Sequence, residues 1–258
     1  MLLEVNNLHV GYNKKEIVHG VSFGAEEGEF VCIVGSNGCG KTTTLKSVLG
    51  LLKPFEGTVE VDGHNTLGMT DKERATYFAY IPQAHTPPFP FTVADVIIMG
   101  RTPYVGTLAR VSSKDRRIAF DAMKLLGIEH LAKRVYTQLS GGQQQLVLIA
   151  RALAQEPRVL IMDEPTASLD FGNQQIVLRQ MKSLVRSGTT VIMVTHDPDH
   201  ALVCADRVIA MQAGEIIGEG TPREVLTDEC LNTIYGIEAS IVNVEVRPGV
   251  FREVCAAI

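Results

Sequence analysis

The chain has no excess of positive charge, no long apolar run and no ordered pattern of cysteines, and each absence removes a class of protein. Its 24 Lys and Arg against 29 Asp and Glu leave a net charge of −5. That argues against nucleic acid as a partner, because phosphate backbones draw basic faces. No stretch approaches the ~20 apolar residues that cross a bilayer, so any work at a membrane is expected to pass through a partner. The N-terminal Met1-Leu2-Leu3-Glu4-Val5 lacks a basic segment followed by an apolar core, and no signal peptide is expected. The five cysteines (Cys32, Cys39, Cys204, Cys230, Cys255) are odd in number and scattered. They match neither a metal-ligand spacing nor a disulfide framework, and a reducing cytoplasm suits them. Tryptophan is missing, and there is no internal repeat or low-complexity tail. What remains is an ordinary globular composition, 45% hydrophobic and 21% charged over 258 residues. A chain of that size buries a substantial core, as one large domain or one domain with an insertion.

The densest chemical signal is Gly35-Ser36-Asn37-Gly38-Cys39-Gly40-Lys41-Thr42. An apolar run, Phe30 to Val34, precedes it, and residues with helical spacing follow from Thr44. Strand, glycine-rich turn and helix is the context in which G-x-x-x-x-G-K-[ST] cradles phosphate. The glycines let successive N–H groups converge on one centre, and the positive end of the helix adds to their field. Lys41 would reach the β- and γ-phosphates, and the Thr42 hydroxyl would ligate Mg²⁺. The pattern implies a nucleoside triphosphate site.

Before this loop, Leu3, Val5, Leu8 and Val10, then Ile17, Val18, Val21 and Phe23, read as strands joined by a turn at 11–14. They predict an antiparallel sheet attached to a parallel core. Tyr12, in that turn, reads equally as a base-stacking residue or as a strand-end tyrosine. Thr70 to Glu73 forms a capping box, and a strand at 77–81 delivers Gln83. The proline-rich 84–90 can continue neither a helix nor a central strand and reads as a hinge. Helices capped by Thr92 and Ser112 follow, the second stopped by Gly127. Between them, 100–106 is too apolar for a spacer; it is either a partner-binding surface or a packed loop.

Leu139-Ser140-Gly141-Gly142-Gln143 opens a further helix that stops at Pro157. Ser140 is a good N-cap and the glycines expose backbone N–H groups, which makes a second anion site far in sequence from Lys41. Val159-Leu160-Ile161-Met162 reads as a buried parallel strand ending in Asp163-Glu164. Neighbours on a strand face opposite ways, so the two carboxylates are expected to differ in role: Asp163 toward metal, Glu164 toward the γ-phosphate and a water. Ser168-Leu169-Asp170 precedes a helix expected at 174–186. Thr195-His196-Asp197 ends the next core strand, where ligands gather in doubly wound sheets, although a lone histidine there is otherwise structural. Strands at 207–211 and 215–218, a helix capped by Thr221 and a turn at Pro248-Gly249 complete the pattern.

Taken together, GSNGCGKT at 35–42, Gln83, LSGGQ at 139–143, VLIMDEP at 159–165, SLD at 168–170 and TH at 195–196 resemble the nucleotide-binding subunit of ABC transporters over essentially the whole chain. The resemblance implies an α/β fold: a P-loop NTPase core with an antiparallel β subdomain, and an inserted α-helical subdomain. It would be a single domain over 1–258, with core at 1–83 and 156–258 and the insert, carrying the signature, at 84–155. It implies that Tyr12 stacks on adenine and that Gly35, Ser36, Asn37, Gly38, Cys39, Gly40, Lys41, Thr42 and Thr43 surround the phosphates of ATP. Mg²⁺ would be held by Thr42, Gln83 and Asp163. Gln83 and Asp170 would relay the state of the γ-phosphate and His196 would touch it. Ser140, Gly141, Gly142 and Gln143 would clasp nucleotide held by a second copy, so that two chains sandwich two ATPs. Gln144 departs from the family, where arginine is common, and little effect on chemistry is expected.

The implied activity is ATP hydrolysis, with Lys41 stabilising charge and Glu164 polarising water. Implied partners are a second copy, integral membrane permease subunits and, indirectly, a substrate-binding protein, at the cytoplasmic face of the membrane. Phe91 to Pro103, with the tail from Gly218 to Leu226, resembles the iron-chelate, haem and cobalamin import branch. Molybdate or tungstate import, or a soluble ABC ATPase outside transport, are the alternatives.

Overall fold

The computed structural model describes residues 1–83, 90–106 and 110–257; the expected hinge at 84–90 falls outside these, apart from Pro90. Two compact units are present, Met1–Gly68 with Thr190–Ile258, and Met69–Thr189.

The first unit begins with β1 (Leu3–Tyr12), β2 (Lys15–Ala25), β3 (Phe30–Gly35), α1 (Lys41–Val48), β4 (Glu56–Val61) and the short β5 (His64–Asn65). β2-β1-β4-β5 form an antiparallel sheet. The buried residues of β1 switch from odd to even positions between Val5 and Leu8. A register shift at that point explains the switch, with Asn7 at φ +48. A bulge inserts one residue and so exchanges the faces of a strand. It also dictates Gly57 on neighbouring β4, at φ +92, where a Cβ would stand 2.2 Å from the Asn7 carbonyl oxygen.

The second unit holds α2 (Asp71–Tyr77), β6 (Phe78–Ile81), α3 (Val93–Ile98), α4 (Ser113–Leu125), α5 (Gly141–Ala154), β7 (Val159–Asp163) and α6 (Phe171–Arg186). β6 and β7 pair in parallel, Phe78 opposite Val159 and Ile81 opposite Met162. Capping boxes at Thr70–Glu73, Thr92–Asp95, Ser112–Asp115 and Ser140–Gln143 start α2, α3, α4 and α5. In each, two end N–H groups are met by side chains. α6 starts at Phe171, before the expected 174, because Asp170 is its N-cap and accepts from the Asn173 N–H at 2.9 Å. The stretch 100–106 is not a loop throughout: Met99–Tyr104 is a 3₁₀ turn, with Gly100 and Arg101 buried.

The chain then returns to the first unit with β8 (Thr190–Thr195), α7 (Pro198–Cys204), β9 (Arg207–Gln212), β10 (Glu215–Gly220), α8 (Pro222–Val225), α9 (Asp228–Tyr235), β11 (Ala239–Arg247) and β12 (Val250–Ala257). β8 and β9 flank β3 in parallel, and β10 closes against β9 antiparallel. All six residues of β3 are buried, as a central parallel strand requires. Three two-residue hairpins, at Asn13-Lys14, Asp62-Gly63 and Ala213-Gly214, have positive φ at both positions. Their twist matches that of the strands they join. All three places read as turns in the sequence, and Asp62-Gly63 is the residue pair that most favours this geometry.

Candidate functional site

In the first unit, β3 ends at Gly35 and α1 begins at Lys41, so 36–40 must reverse the chain within one short loop. Gly38 and Gly40 do so at φ +82 and +108, a region closed to most side chains. Gly35 is constrained differently: a Cβ there would lie 2.4 Å from the Met211 carbonyl oxygen and 2.7 Å from the Cys39 sulfur. Lys41 is 5% exposed, and its ammonium donates to the carbonyls of Gly35 (2.7 Å) and Ser36 (2.9 Å). It thus folds back over the loop that carries Asn37, Cys39 and the glycines. Gly40 caps α1 without a side chain, and no acid stands in the first turn, Lys41 to Thr44. That leaves the positive helix end uncompensated by side chains. Thr42 is half-buried and Thr43 buried on this turn.

The loop rests on a support that sequence reasoning missed. The Gly214 N–H donates to the Cys39 carbonyl at 3.0 Å, and the Gly214 carbonyl accepts from the His19 N–H at 2.9 Å. A Cβ at Gly214 would stand 2.2 Å from the Ile17 oxygen, so the β9–β10 hairpin fits beneath the loop only with glycine there. No signal short of the folded sheet links residues this far apart. Tyr12 ends β1 and is partly exposed; the Lys46 ammonium stands 5.8 Å from its ring centre.

At the end of β8, Thr195 is buried and His196 exposed. The Thr195 hydroxyl accepts from the Asp197 N–H at 3.1 Å and meets His200 Nδ1 at 3.2 Å, while His200 Nε2 lies 3.4 Å from Asp197. His200, unforeseen from the sequence, thus braces the turn that presents His196. Burial lowers its pKa, against Asp197 and Asp199, which raise it, and with a lowering contribution from His196. The folded chain therefore binds fewer protons at His200 than the unfolded chain. Stability from this group is present above the ordinary histidine value of about 6.5 and is lost as pH falls from there through the lowered folded pKa. In urea titrations at pH 8 and pH 5.5, the native chain is expected to lose more stability on acidification than His200→Gln; equal losses would remove His200 from the account.

In the second unit, β7 delivers Asp163, 3% exposed, with the Tyr80 hydroxyl 3.5 Å from its Oδ2. Glu164 is not on the strand: it lies at φ +50, in the left-handed region, and its carbonyl accepts from the Ala167 N–H. A residue before proline is ordinarily extended, so this turn is imposed by its surroundings and holds local strain. The two carboxylates are therefore separated by the turn rather than by strand alternation. Gln83 Nε2 donates to Glu164 Oε2 at 3.0 Å, which joins two residues predicted separately.

Ser140 and Gly141 are exposed at the start of α5, and a Cβ on Gly141 would meet nothing within 4 Å. Gln143 is tied into the cap: its N–H donates to the Ser140 hydroxyl and its Oε1 accepts from the Ser140 N–H, each at 3.3 Å. Gln144 donates to the carbonyls of Tyr136 and Leu139, both at 3.3 Å. The same device recurs at α6, where Gln174 donates to Thr166 and Leu169 and Asp170 caps. Asp170 spends both carboxylate oxygens on Asn173. Gly142 faces the Ser168 carbonyl oxygen, which a Cβ would approach to 3.3 Å. The signature turn and the Ser168–Asp170 turn therefore lie side by side.

The same unit carries a groove of about 750 Å³ among Asp71, Lys72, Tyr80, Met99, Pro103 and Arg151. Its wall is the 3₁₀ turn, seated so closely on α5 that a Cβ at Gly100 would stand 2.2 Å from the Arg151 oxygen.

Residues 18–167 match the family model described as ABC transporter. The chain is 42% identical to a hemin import ATP-binding protein of Nocardia farcinica, over 86% of this chain and 76% of that one. It is 36% identical to an iron(3+)-hydroxamate import ATP-binding protein of Bacillus subtilis (93% and 90%) and 35% identical to a molybdate import ATP-binding protein of Haemophilus influenzae (90% and 87%). Among solved structures, an inward-facing metal-chelate type ABC transporter, itself described as putative, aligns at TM-score 0.88 and 32% identity, covering 100% of this chain and 97% of that one. A dimeric bacterial ABC transporter cassette aligns at 0.77 and 32% identity, covering 86% and 99%.

Proposed function

Since the chain belongs to the ABC transporter family as an ATP-binding, ATP-hydrolysing subunit of P-loop NTPase fold, we propose that it powers import of an iron chelate, haem or a siderophore complex, from the cytoplasmic face of a membrane. The observation that carries this reading is the presence of two anion-receptive helix starts in one chain, at Gly40–Lys41 and at Ser140–Gly141. One chain needs only one to hold ATP. The second is of use when another copy presents its nucleotide, in a two-fold dimer with two shared sites.

In this reading the 35–43 loop and Lys41 bind the triphosphate and Tyr12 stacks on adenine. Glu164, steered by the Gln83 amide, takes a proton from the attacking water, and His196 touches the γ-phosphate. Ser140 and its glycines from the second copy complete the ring of donors around the developing charge. The Thr42 hydroxyl, the Gln83 amide and the Asp163 carboxylate are hard oxygen donors of the kind Mg²⁺ takes together with phosphates. Mg²⁺ bound there would neutralise phosphate charge. Asp170 ends the turn beside Gly142, where it relays the state of the γ-phosphate. ATP closes the dimer because it binds the closed form more tightly, and hydrolysis removes the bridging charge.

Among the described residues no helix is long and apolar enough to cross a membrane. The cargo path is assigned to permease subunits served by a substrate-binding protein, and the groove beside Met99–Tyr104 to a helix of such a permease. The hemin, hydroxamate and metal-chelate relatives support the iron chelate; the molybdate relative supports a second cargo. Deleting this chain in its native host is expected to abolish uptake of radiolabelled haem or ferric siderophore, with recovery by the native chain and not by Lys41→Ala. Loss of molybdate or cobalamin uptake alone would reassign the cargo, and unchanged uptake of all would remove it from import.

A further inference from the structure

The apolar groove has a wall held by one buried cation. Arg101 is 4% exposed, and its bonds reach two separate helix ends of the second unit. Its Nε donates to Asp115 at 3.0 Å, and Asp115 is itself locked into the capping box that starts α4. Its Nη1 donates to the Ala154 carbonyl at 2.7 Å and to Glu156 at 2.8 Å, at the C-terminal end of α5. Its guanidinium carbon lies 4.2 Å from the centre of the Tyr104 ring, whose hydroxyl donates to the Gln155 carbonyl at 3.0 Å. A guanidinium satisfies such a set because its donors form a rigid planar fork; an ammonium does not. A buried charge of this kind is costly unless fully paired, and an apolar residue would seal the same gap. Paired as it is, the guanidinium ties the groove wall to the start of α4 and the end of α5.

α5 extends that tie. It is 14 residues long, about 20 Å of helix, with Ser140 at one end and the Arg101 clamp at the other. Arg151, Ala152 and Gln155 along its last turns line the groove, as do Met99, Gly100 and Thr102 of the clamped wall. We propose that Arg101 is a positioning residue that fastens the groove wall to the signature helix, so that nucleotide engaged at Ser140 changes the groove and an occupant of the groove changes Ser140. Coupling between two sites is reciprocal, so it can be read from either end. This rests on the reading that Ser140 clasps a second copy's nucleotide, and the test separates the two.

The sequence lacks tryptophan, so Met99→Trp gives a single reporter on the groove wall. In a Glu164→Gln chain that carries it, ATP with Mg²⁺ is expected to produce a dimer on gel filtration together with a shift in tryptophan emission. With Arg101→Met added, the dimer should still form at ATP concentrations within about threefold of the parent's, while the emission shift shrinks by a factor of about three or more. Arg101→Lys should recover less than half of it. Glu156→Gln, on a side chain that is 58% exposed, removes one arm without unfolding the unit and should give an intermediate loss. A merely structural clamp lowers the urea midpoint without changing the shift of the folded dimer. A full shift in the Arg101→Met dimer, or in Glu156→Gln should the first variant not fold, overturns the inference. So does a parent dimer without any shift. A parent that never dimerises with ATP instead overturns the shared-site reading beneath it.

Discussion

Glu164→Gln is expected to bind ATP with Mg²⁺, to hydrolyse it about 10²- to 10⁴-fold more slowly, the usual worth of a general base, and to accumulate as a dimer. The amide keeps the size of the side chain, and with it the backbone turn at φ +50. What it loses is the capacity to accept a proton from water. The Gln83 amide now donates to a carboxylate at 3.0 Å; it can still donate to the new side-chain oxygen, so positioning survives while basicity does not. Binding and closure precede the lost step, hence the trapped dimer. Steady-state phosphate release and gel filtration with ATP and Mg²⁺ measure both parts. Unchanged turnover, or a monomer at saturating nucleotide, would displace Glu164 from the reaction.

The second large effect belongs to Ser140. Ser140→Arg places a bulky side chain on the exposed start of α5 and is expected to leave ATP binding by the 35–43 loop intact. Turnover should fall by about 10²-fold or more, the scale of removing a preorganised donor from a developing charge, and the dimer should be lost. Part of the change is the N-cap itself, which typically contributes ~1 kcal/mol to its helix. Ser140→Ala isolates that part, because it removes the hydroxyl that the Gln143 N–H uses but adds no obstruction. The arginine variant should be far more damaged in turnover than in thermal stability, and the alanine variant should show the two effects in closer proportion. A monomeric Ser140→Arg chain that splits ATP at the native rate would mean that each copy owns a complete centre.

The two predictions differ in how much of their basis could be read from the chain alone. Ser140 is a local matter: a serine before glycines, with glutamine three residues on, specifies an N-cap wherever it occurs. The backbone at Glu164 is not. Alternation along a strand predicts two carboxylates on opposite faces, and the residue before Pro165 is expected to be extended. The folded chain instead turns it into the left-handed region, where Gln83 reaches it.

Sequence by itself determined what depends on near neighbours. The glycines that bend 35–40, the apolar runs of β3, β7 and β8, and the capping boxes at 70, 92, 112 and 140 all follow from the torsions, periods and hydrogen bonds of a few consecutive residues. Tertiary structure decided what depends on distant segments brought into contact. The bulge at Asn7 exchanges the faces of β1 and requires Gly57. The Gly214 turn lies beneath Cys39, His200 braces the turn that carries His196, and the Arg101 clamp joins the start of α4 to the end of α5. Such contacts leave no mark on composition or spacing, because what selects each residue is the shape and charge of a surface that exists only once the chain has folded.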